Sequence, residues 1–281
     1  MTQYSLAAES EALTQYNSSA QAIGIFDSGI GGLSIAKCIS ERLPNEKLIY
    51  VADNLFAPYG DKSSATIIER VNKLADWLVA QNVKAIVVAC NTATVIAIEQ
   101  LRLRISIPII GVEPAIKPAA QESIMQKIAL LVTEATAVNH RFLDLVHKHK
   151  NATEVFIQPC PGLVELIEQG LHESEQCRKI LNNFLIPLLE KNIDTLVLGC
   201  THYPFVRSLI QEIVGENITI VETAQPVTEQ LARQLENKGL LAAHSHISQQ
   251  TFFSSDISQE QARLMSIFFG QNISLQQFPI I

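Results

Sequence analysis

The 281-residue chain has little charge, few aromatic residues and no clustered basic segment: charged residues make up 17% of it and the net charge is −7. Because phosphate binding needs a basic patch, we expect no nucleic-acid partner. No apolar run approaches the roughly 18 residues that cross a bilayer, so we expect no membrane partner. The segment before residue 22 contains Glu9 and Glu11 and lacks the basic start and apolar centre of a secretory signal, which favours a cytoplasmic location.

The five cysteines contain no C-x-x-C pair, and their spacing matches no zinc signature. An odd number of scattered cysteines in a cytoplasmic chain also argues against a disulfide framework. We therefore expect free thiols, and any cysteine chemistry should come from them.

Short β-branched runs alternate with amphipathic segments, which predicts parallel sheets joined by crossover helices. Apolar residues spaced i, i+3 and i+4 predict helices most plainly at Thr66–Val79 and Ile180–Leu189, with another near Val227–Leu235. The predicted strands are Ile23–Phe26, Leu48–Val51, Ala85–Ala89, Ile107–Ile110, Ile128–Val132, Glu154–Ile157, Thr195–Leu198, Ile218–Val221, Thr251–Ser254 and Ile273–Leu275.

Proline and glycine concentrate at residues 108–118 and 222–226, as expected where a chain passes from one core to another. The sequence therefore predicts a leader and two α/β domains, the second inserted into the first. The predicted parts are the leader at residues 1–21, the first domain at 22–114 plus 223–281, and the second domain at 115–222.

One short unit occurs twice, once in each predicted domain. AIVVACNT at 85–92 and TLVLGCTH at 195–202 are both an apolar strand followed by a small residue, a cysteine, a polar residue and a helix start. Ligands of parallel sheets bind beyond the carboxyl ends of the strands, and a helix N-terminus favours a thiolate. A single cysteine in such a place is more often a small core residue. The repetition favours two catalytic thiols, Cys90 and Cys200.

Two opposed thiols suit the inversion of a stereocentre by proton transfer. One group removes a proton from one face while the other delivers a proton to the opposite face, so the cleft must hold one thiolate and one thiol. The α-proton of an amino acid is very weakly acidic, so hydrogen-bond donors must stabilise the carboxylate as charge builds there. The sequence therefore predicts a cofactor-independent amino-acid racemase.

Polar residues near the strand ends can support this chemistry. Asp27 and His202 are placed to accept protons beside the two cysteines, and the turn at 58–60 presents backbone amides and a phenol to a side-chain carboxylate. The structural alternatives are a helix N-cap for Asp27, a backbone hydrogen bond for His202 and a plain turn at 58–60. Further candidates to bind carboxylates are the helix-start amides and Ser28, Asn91, Thr92 and Thr201.

Four segments are similar, in order and spacing, to those of glutamate racemases: FDSGIGG at 26–32, PYG at 58–60, ACNTA at 89–93 and GCTHYP at 199–204. The similarity covers roughly residues 22–230, and GCTHYP is its most specific element. It implies an α/β fold of two similar three-layer domains with parallel sheets and the active site in the cleft between them. It also implies interconversion of L- and D-glutamate without pyridoxal phosphate or a metal, supplying D-glutamate for peptidoglycan.

The resemblance also implies roles for single residues. Cys90 would exchange its proton with D-glutamate and Cys200 with L-glutamate, assisted by Asp27, His202 and Glu168. The implied substrate contacts are Asp27, Ser28, Pro58, Tyr59, Gly60, Asn91, Thr92, Thr136, Thr201 and His202.

Two further implications concern partners. Some members with a long leader are activated by UDP-N-acetylmuramoyl-L-alanine, and members form homodimers of different arrangement.

The chain also departs from the family pattern at three positions. Ala135 replaces a glycine near Thr136, and Glu222 and Thr223 replace an aspartate and a serine.

Four alternatives stay open. Aspartate racemases have a similar cysteine pair but usually carry an acidic residue at the position of His202. Residues 29–34 resemble the turn of a dinucleotide-binding oxidoreductase but lack its third glycine. A cysteine hydrolase would pair Cys200 with His202, although we expect residues two apart at such a junction not to align. An amino-acid receptor would need an export signal.

Overall fold

The computed structural model describes residues 18–243 and 248–279. The predicted leader therefore lies almost entirely outside the described residues. Within the described part, none of the helices combines the length and the apolar character required of a membrane span.

The described strands form two sheets, and every pairing within them is parallel. The six-stranded sheet has the order β10-β9-β2-β1-β3-β4, and the four-stranded sheet has the order β6-β5-β7-β8. Their bounds are β1 Ile23–Asp27, β2 Leu48–Ala52, β3 Ala85–Val88, β4 Ile109–Gly111, β5 Lys127–Val132, β6 Glu154–Pro159, β7 Thr195–Leu198, β8 Thr219–Val221, β9 Gln250–Ser254 and β10 Leu275–Gln277.

Helices cover both faces of each sheet, as parallel sheets require. The helices are α1 Leu33–Arg42, α2 Ser64–Ala80, α3 Asn91–Arg104, α4 Ile116–Glu122, α5 Glu134–Ala137, α6 His140–His149, α7 Leu163–Glu168, α8 Glu175–Leu189, α9 Arg207–Val214, α10 Ala224–Asn237 and α11 Gln259–Phe269. Three 3₁₀ turns lie at Asn54–Phe56, Tyr59–Asp61 and Tyr203–Val206.

Alternate residues of each strand point to opposite cores, which gives the two three-layer domains. In β1, Ile23 and Ile25 enter the core that contains α1, α10 and α11, while Phe26 enters the core formed with α2 and α3. The first of these cores continues into the four-stranded sheet through Ala129 and Leu131. The two sheets are therefore joined by one continuous apolar core.

Both sheets change their direction of winding at a central strand. The chain passes from β1 to β2 on one side and then crosses to β3 on the other, and β5, β6 and β7 repeat this arrangement. Such switch points open a crevice at the carboxyl ends of the two diverging strands. Asp27 and Cys90 lie at these ends in one sheet, and Thr133 and Cys200 in the other.

The predicted fold class is confirmed, with two strand shifts. The fourth strand begins at Ile109 because Pro108 has no N–H to donate. The last strand begins at Leu275 because the Ile273 amide donates to Ser266 Oγ at the end of α11. The strands divide between the sheets where the predicted domain crossings fall, and we retain the boundaries at residues 114/115 and 222/223 as a proposal.

Candidate active site

Both predicted catalytic sulfurs line the same small cavity between the two sheets. Cys90 is the N-cap of α3, and its Sγ accepts a hydrogen bond from the Ala93 amide at 3.5 Å. Cys200 lies beyond the end of β7. The cavity is lined by Ser28, Pro58, Tyr59, Gly60, Cys90, Asn91, Thr92, Thr133, Val164, Cys200, Thr201 and His202.

A buried carboxylate stands beside Cys90. Asp27 accepts hydrogen bonds from the amides of Ser28 at 2.7 Å and Gly32 at 2.6 Å, and it interacts with the Cys90 thiol, which also lies 3.8 Å from Ser28 Oγ. Burial raises the pKa of Asp27, although the charge of His202 opposes this. Burial, and then the Asp27 carboxylate, raise the pKa of the Cys90 thiol well above its ordinary value. The Ala93 amide at the start of α3 lowers that pKa, as expected of a helix N-terminus, but burial and Asp27 outweigh it.

An imidazole stands beside Cys200 instead. His202 Nδ1 lies 3.7 Å from Cys200 Sγ, and His202 Nε2 lies 2.6 Å from Glu168 Oε1. Burial lowers the pKa of His202, but its bonds to Cys200 and Glu168 outweigh burial and raise that pKa well above its ordinary value. The expectation that Cys200 and His202 would not align is wrong, since the turn between them brings their side chains together.

The predicted helix start after Cys200 is also wrong. The chain forms a turn and then the 3₁₀ segment Tyr203–Val206, and the regular helix α9 begins only at Arg207. Val206, at φ −110° and ψ 14°, departs from helical backbone and separates the 3₁₀ segment from α9. Only Cys90 of the two sulfurs therefore lies at the N-terminus of an α-helix.

Glycines in the loop after β1 allow the two domains to meet closely. A Cβ atom on Gly29 would overlap the Glu168 carboxylate, and one on Gly31 would overlap the His202 ring. Glu168 also accepts a hydrogen bond from the Ile30 amide at 2.9 Å. The side chains of the second domain thus fill the space beside this turn, and the glycines serve domain closure.

Direct side-chain contacts join the two domains beside the cavity. Thr201 Oγ1 donates to Asp27 Oδ2 at 3.3 Å, and the hydroxyls of Thr92 and Thr133 lie 3.1 Å apart. The enclosed volume is about 10 Å³. This volume is close to the space for a single water molecule and far below that of an amino acid. The structure is therefore a closed form that must open to admit a substrate.

The structure brings ten of the predicted residues to the cavity wall: Ser28, Pro58, Tyr59, Gly60, Cys90, Asn91, Thr92, Cys200, Thr201 and His202. Asp27 and Glu168 stand behind the sulfur of Cys90 and the ring of His202, respectively. Thr136 is fully buried outside the wall, where its Oγ1 accepts a hydrogen bond from Thr133 Oγ1 at 3.0 Å.

Two residues of the cavity wall, Thr133 and Val164, are not among those predicted from the sequence. Thr133 directly follows β5, so the rule that ligands bind at the carboxyl ends of strands would have found it. Val164 lies in α7 and carries no comparable signal.

Two predicted contacts have a different geometry from the one expected. The Tyr59 hydroxyl donates to Asp53 Oδ2 at 2.7 Å, so its proton is engaged in this closed form, and its contact with a substrate carboxylate stays a prediction. Asn91 Nδ2 donates to the Val112 carbonyl at 3.3 Å, while Asn91 Oδ1 is buried without a partner among the described residues. The available atom of Asn91 is therefore an acceptor, which suits an ammonium group better than a carboxylate.

Among the described residues, no group of three or more His, Cys, Asp or Glu side chains is placed to hold a metal ion. All five cysteines are free thiols.

Comparison with known proteins identifies the family. The model of the Asp/Glu/Hydantoin racemase family matches residues 30–234. The glutamate racemase of Pseudomonas aeruginosa is 43% identical over 260 residues, which cover 92% of this chain and 98% of that protein. The chain belongs to the Asp/Glu/Hydantoin racemase family.

Solved structures of racemases share this fold over nearly their whole length. The glutamate racemase isoform RacE1 of Bacillus anthracis superposes with a TM-score of 0.85 at 31% identity, covering 92% of this chain and 98% of that one. The Escherichia coli glutamate racemase, solved with L-glutamate and the activator UDP-MurNAc-Ala, gives a TM-score of 0.82 at 29% identity, covering 93% and 99%. This racemase is an isomerase whose two-domain cleft matches theirs.

Proposed function

We propose that this racemase interconverts L- and D-glutamate by a two-base mechanism in which Cys90 and Cys200 act on opposite faces of Cα. The observation that carries the proposal is that both sulfurs line one cavity, each with its own ionisable partner. Glutamate as the substrate is supported by the relatives, which are glutamate racemases. The proposed reaction needs no pyridoxal phosphate or metal, and in the cytoplasm it would supply D-glutamate for peptidoglycan.

In the direction from L- to D-glutamate, Cys200 Sγ takes the Cα proton as a thiolate while Cys90 Sγ–H delivers its proton to the opposite face. The raised pKa of Cys90 suits a proton donor. A charged imidazole 3.7 Å from Cys200 is the environment in which a cysteine serves as a thiolate. The reaction leaves a thiolate at Cys90 and a thiol at Cys200, which is the state that converts D- back to L-glutamate. A net transfer of one proton from Cys200 to Cys90 through solvent restores the starting state, and Asp27 and His202 lie beside the two sulfurs that exchange it.

The substrate groups have distinct partners in the cavity. Asn91 Oδ1, a buried acceptor without a partner among the described residues, suits the ammonium group. The hydroxyls of Thr92 and Thr201 and the backbone amides of the strand ends suit the α-carboxylate, where charge builds during proton removal. The turn at 58–60 is left for the side-chain carboxylate, through its amides.

The deciding experiment follows circular dichroism of L- and D-glutamate with purified protein and no added cofactor, with aspartate alongside. We expect glutamate of either hand to racemise, and in D₂O the product should carry deuterium at Cα. Failure to exchange Cα hydrogen would exclude inversion by proton transfer, and faster racemisation of aspartate would reassign the substrate.

We also propose UDP-N-acetylmuramoyl-L-alanine as an activator, because the E. coli relative was solved with UDP-MurNAc-Ala as its activator. Adding this compound to the same assay should raise the racemisation rate. A homodimer stays a prediction from family resemblance.

A cysteine hydrolase is a second candidate, because Cys200, His202 and Glu168 form a connected thiol, imidazole and carboxylate. That mechanism leaves the Cys90 and Asp27 pair on the opposite wall without a role. A Cys90→Ser variant separates the two candidates, since it would keep hydrolase activity and lose racemase activity.

A further inference from the structure

Asn54, in the first domain, contacts the second domain at Glu168, the residue that bonds to His202. It opens the 3₁₀ turn after β2, is half-buried, and does not line the cavity. Its Nδ2 donates to Glu168 Oε2 at 3.1 Å, although Glu168 lies in α7 of the other domain, 114 positions away. The side chain is therefore placed to act on Glu168 and not on a substrate.

The orientation of the Asn54 amide is set by a strand near the C-terminus. Ser254 Oγ, at the end of β9, accepts a hydrogen bond from the Asp256 amide at 3.0 Å. Its own proton is thus free to go to Asn54 Oδ1, 3.0 Å away. Turning the amide over would place its NH₂ against the Ser254 donor and its oxygen against a carboxylate, so only one orientation satisfies both neighbours.

Glu168 in turn holds His202. Its Oε1 accepts from the Ile30 amide and bonds to His202 Nε2, while its Oε2 accepts from Asn54. These donors on both oxygens fix the rotation of the carboxylate about its last bond. A hydrogen-bonded series therefore runs from Ser254 through Asn54, Glu168 and His202 to the Cys200 sulfur.

We propose that Asn54, oriented by Ser254, is a positioning residue that holds Glu168 in the rotation at which it binds His202. This inference rests on the proposed racemase function of the same site. By this proposal Ser254, at the end of β9, helps to position His202 beside Cys200. It has no corresponding role at Cys90.

Other ionisable groups around this series are already engaged. Glu168 is faced by His202 and, within electrostatic range, by Tyr50, whose hydroxyl donates to the Gly29 carbonyl at 2.8 Å. The carboxylate next to Asn54 in the chain, that of Asp53, is bonded to Arg70 and Tyr59. Asp256 Oδ1 accepts from the Ser258 amide. A new charge at residue 54 would therefore act first on Glu168.

The test compares Asn54→Ala with Asn54→Asp. Asn54→Ala should lower kcat by about tenfold with little change in KM, because a hydrogen bond to a charged group is lost away from the substrate. Asn54→Asp places two carboxylates together and raises the pKa of the pair. At low pH their shared proton restores the bond, so this variant should approach wild-type activity there and lose it as the pH rises.

Ser254→Ala should give a smaller fall of kcat in the same direction, because the amide loses only its orienting partner. Asn183→Asp, an exposed position on α8, adds the same charge elsewhere and should match the wild type. The proposal would be overturned if kcat were unchanged in Asn54→Ala or if Asn54→Asp lost the same activity at every pH. It would also be overturned if Asn183→Asp showed the same pH-dependent loss.

A readout independent of activity is the titration of His202 followed by nitrogen NMR of the imidazole. Asn54→Ala should lower the pKa of His202 towards its ordinary value, and an unmoved pKa would reject the positioning role. If the wild type proved inactive on glutamate while this shift was seen, the proposed function would fail and the positioning role would stand.

Discussion

The two cysteines occupy the same place in two similar domains but have opposite surroundings. Each follows the strand to which the chain crosses when the winding reverses, β3 in one sheet and β7 in the other. Cys90 meets the buried carboxylate of Asp27, whereas Cys200 meets the imidazole of His202, which is held by Glu168. The fold places the two cysteines in equivalent positions, and the different ionisable residue beside each sulfur makes their surroundings unlike.

This difference between the two sulfurs is what the mechanism requires, because one sulfur removes a proton from Cα while the other delivers one. If both sulfurs were beside carboxylates, both would hold protons and neither could remove one from Cα. If both were beside charged imidazoles, neither would keep a proton to donate. A thiol on one face and a thiolate on the other is the productive combination, and the different partners favour it.

The largest expected effect comes from removing either sulfur. Cys90→Ser and Cys200→Ser should each reduce racemisation by about 10³-fold or more, because a serine hydroxyl is far too weak an acid to exchange with Cα at neutral pH. Binding of glutamate, measured by calorimetry, should change little since the side chains are nearly equal in size. Cys38→Ser, outside the cavity, is the matched control. Substantial racemisation by either cavity variant would contradict the two-base assignment.

Much of the fold and the central pair could be predicted from sequence. The strands are apolar and short, and the unit that ends in Cys90 and Cys200 occurs twice, so both the parallel sheets and the two thiols follow from local pattern. Glu168 came only from family resemblance, because its role depends on a helix docking against the other domain. No local pattern carries that information.

The differences from the sequence predictions also have local causes. A 3₁₀ segment replaces the helix expected directly after Cys200, and the Tyr59 hydroxyl donates to Asp53 in this closed form. Asn54 went unnoticed, since an amide after β2 is unremarkable until the domains close on each other. Contacts made only across the cleft are the part that single-sequence analysis could not reach.

A smaller effect should separate the two partners. Asp27→Asn should slow the half-reaction at Cys90, and His202→Asn the half-reaction at Cys200, each lowering kcat by about 10- to 100-fold. By the roles implied for the sulfurs, Asp27→Asn should act more on turnover of D-glutamate and His202→Asn more on turnover of L-glutamate.

The measurement for these two variants must respect equilibrium. The enantiomers are equally stable in solution, so kcat/KM stays equal in both directions for every variant. The difference has to be sought in kcat for each direction and in the isotope effect of Cα-deuterated L- and D-glutamate. Equal losses in both directions, with equal isotope effects, would mean that the two partners do not serve separate halves.

The smallest expected effect concerns the free energy of unfolding, and it should come from the Cys200 side of the cleft. The pKa of His202 is raised in the folded protein by Cys200 and Glu168, against the effect of burial. A raised folded-state pKa stabilises the fold fully below the unfolded pKa of about 6.5, and that contribution is lost as the pH rises through the folded value.

Wild type should therefore exceed His202→Asn in free energy of unfolding by roughly 1–3 kcal/mol near pH 6, and the difference should shrink towards alkaline pH. Urea unfolding at a series of pH values measures it. His147→Asn, an exposed histidine on α6, should leave the pH dependence of the wild type in place. A gap between wild type and His202→Asn that widens with pH would mean that His202 is neutral in the fold, and the charge difference between the two halves of the cleft would disappear with it.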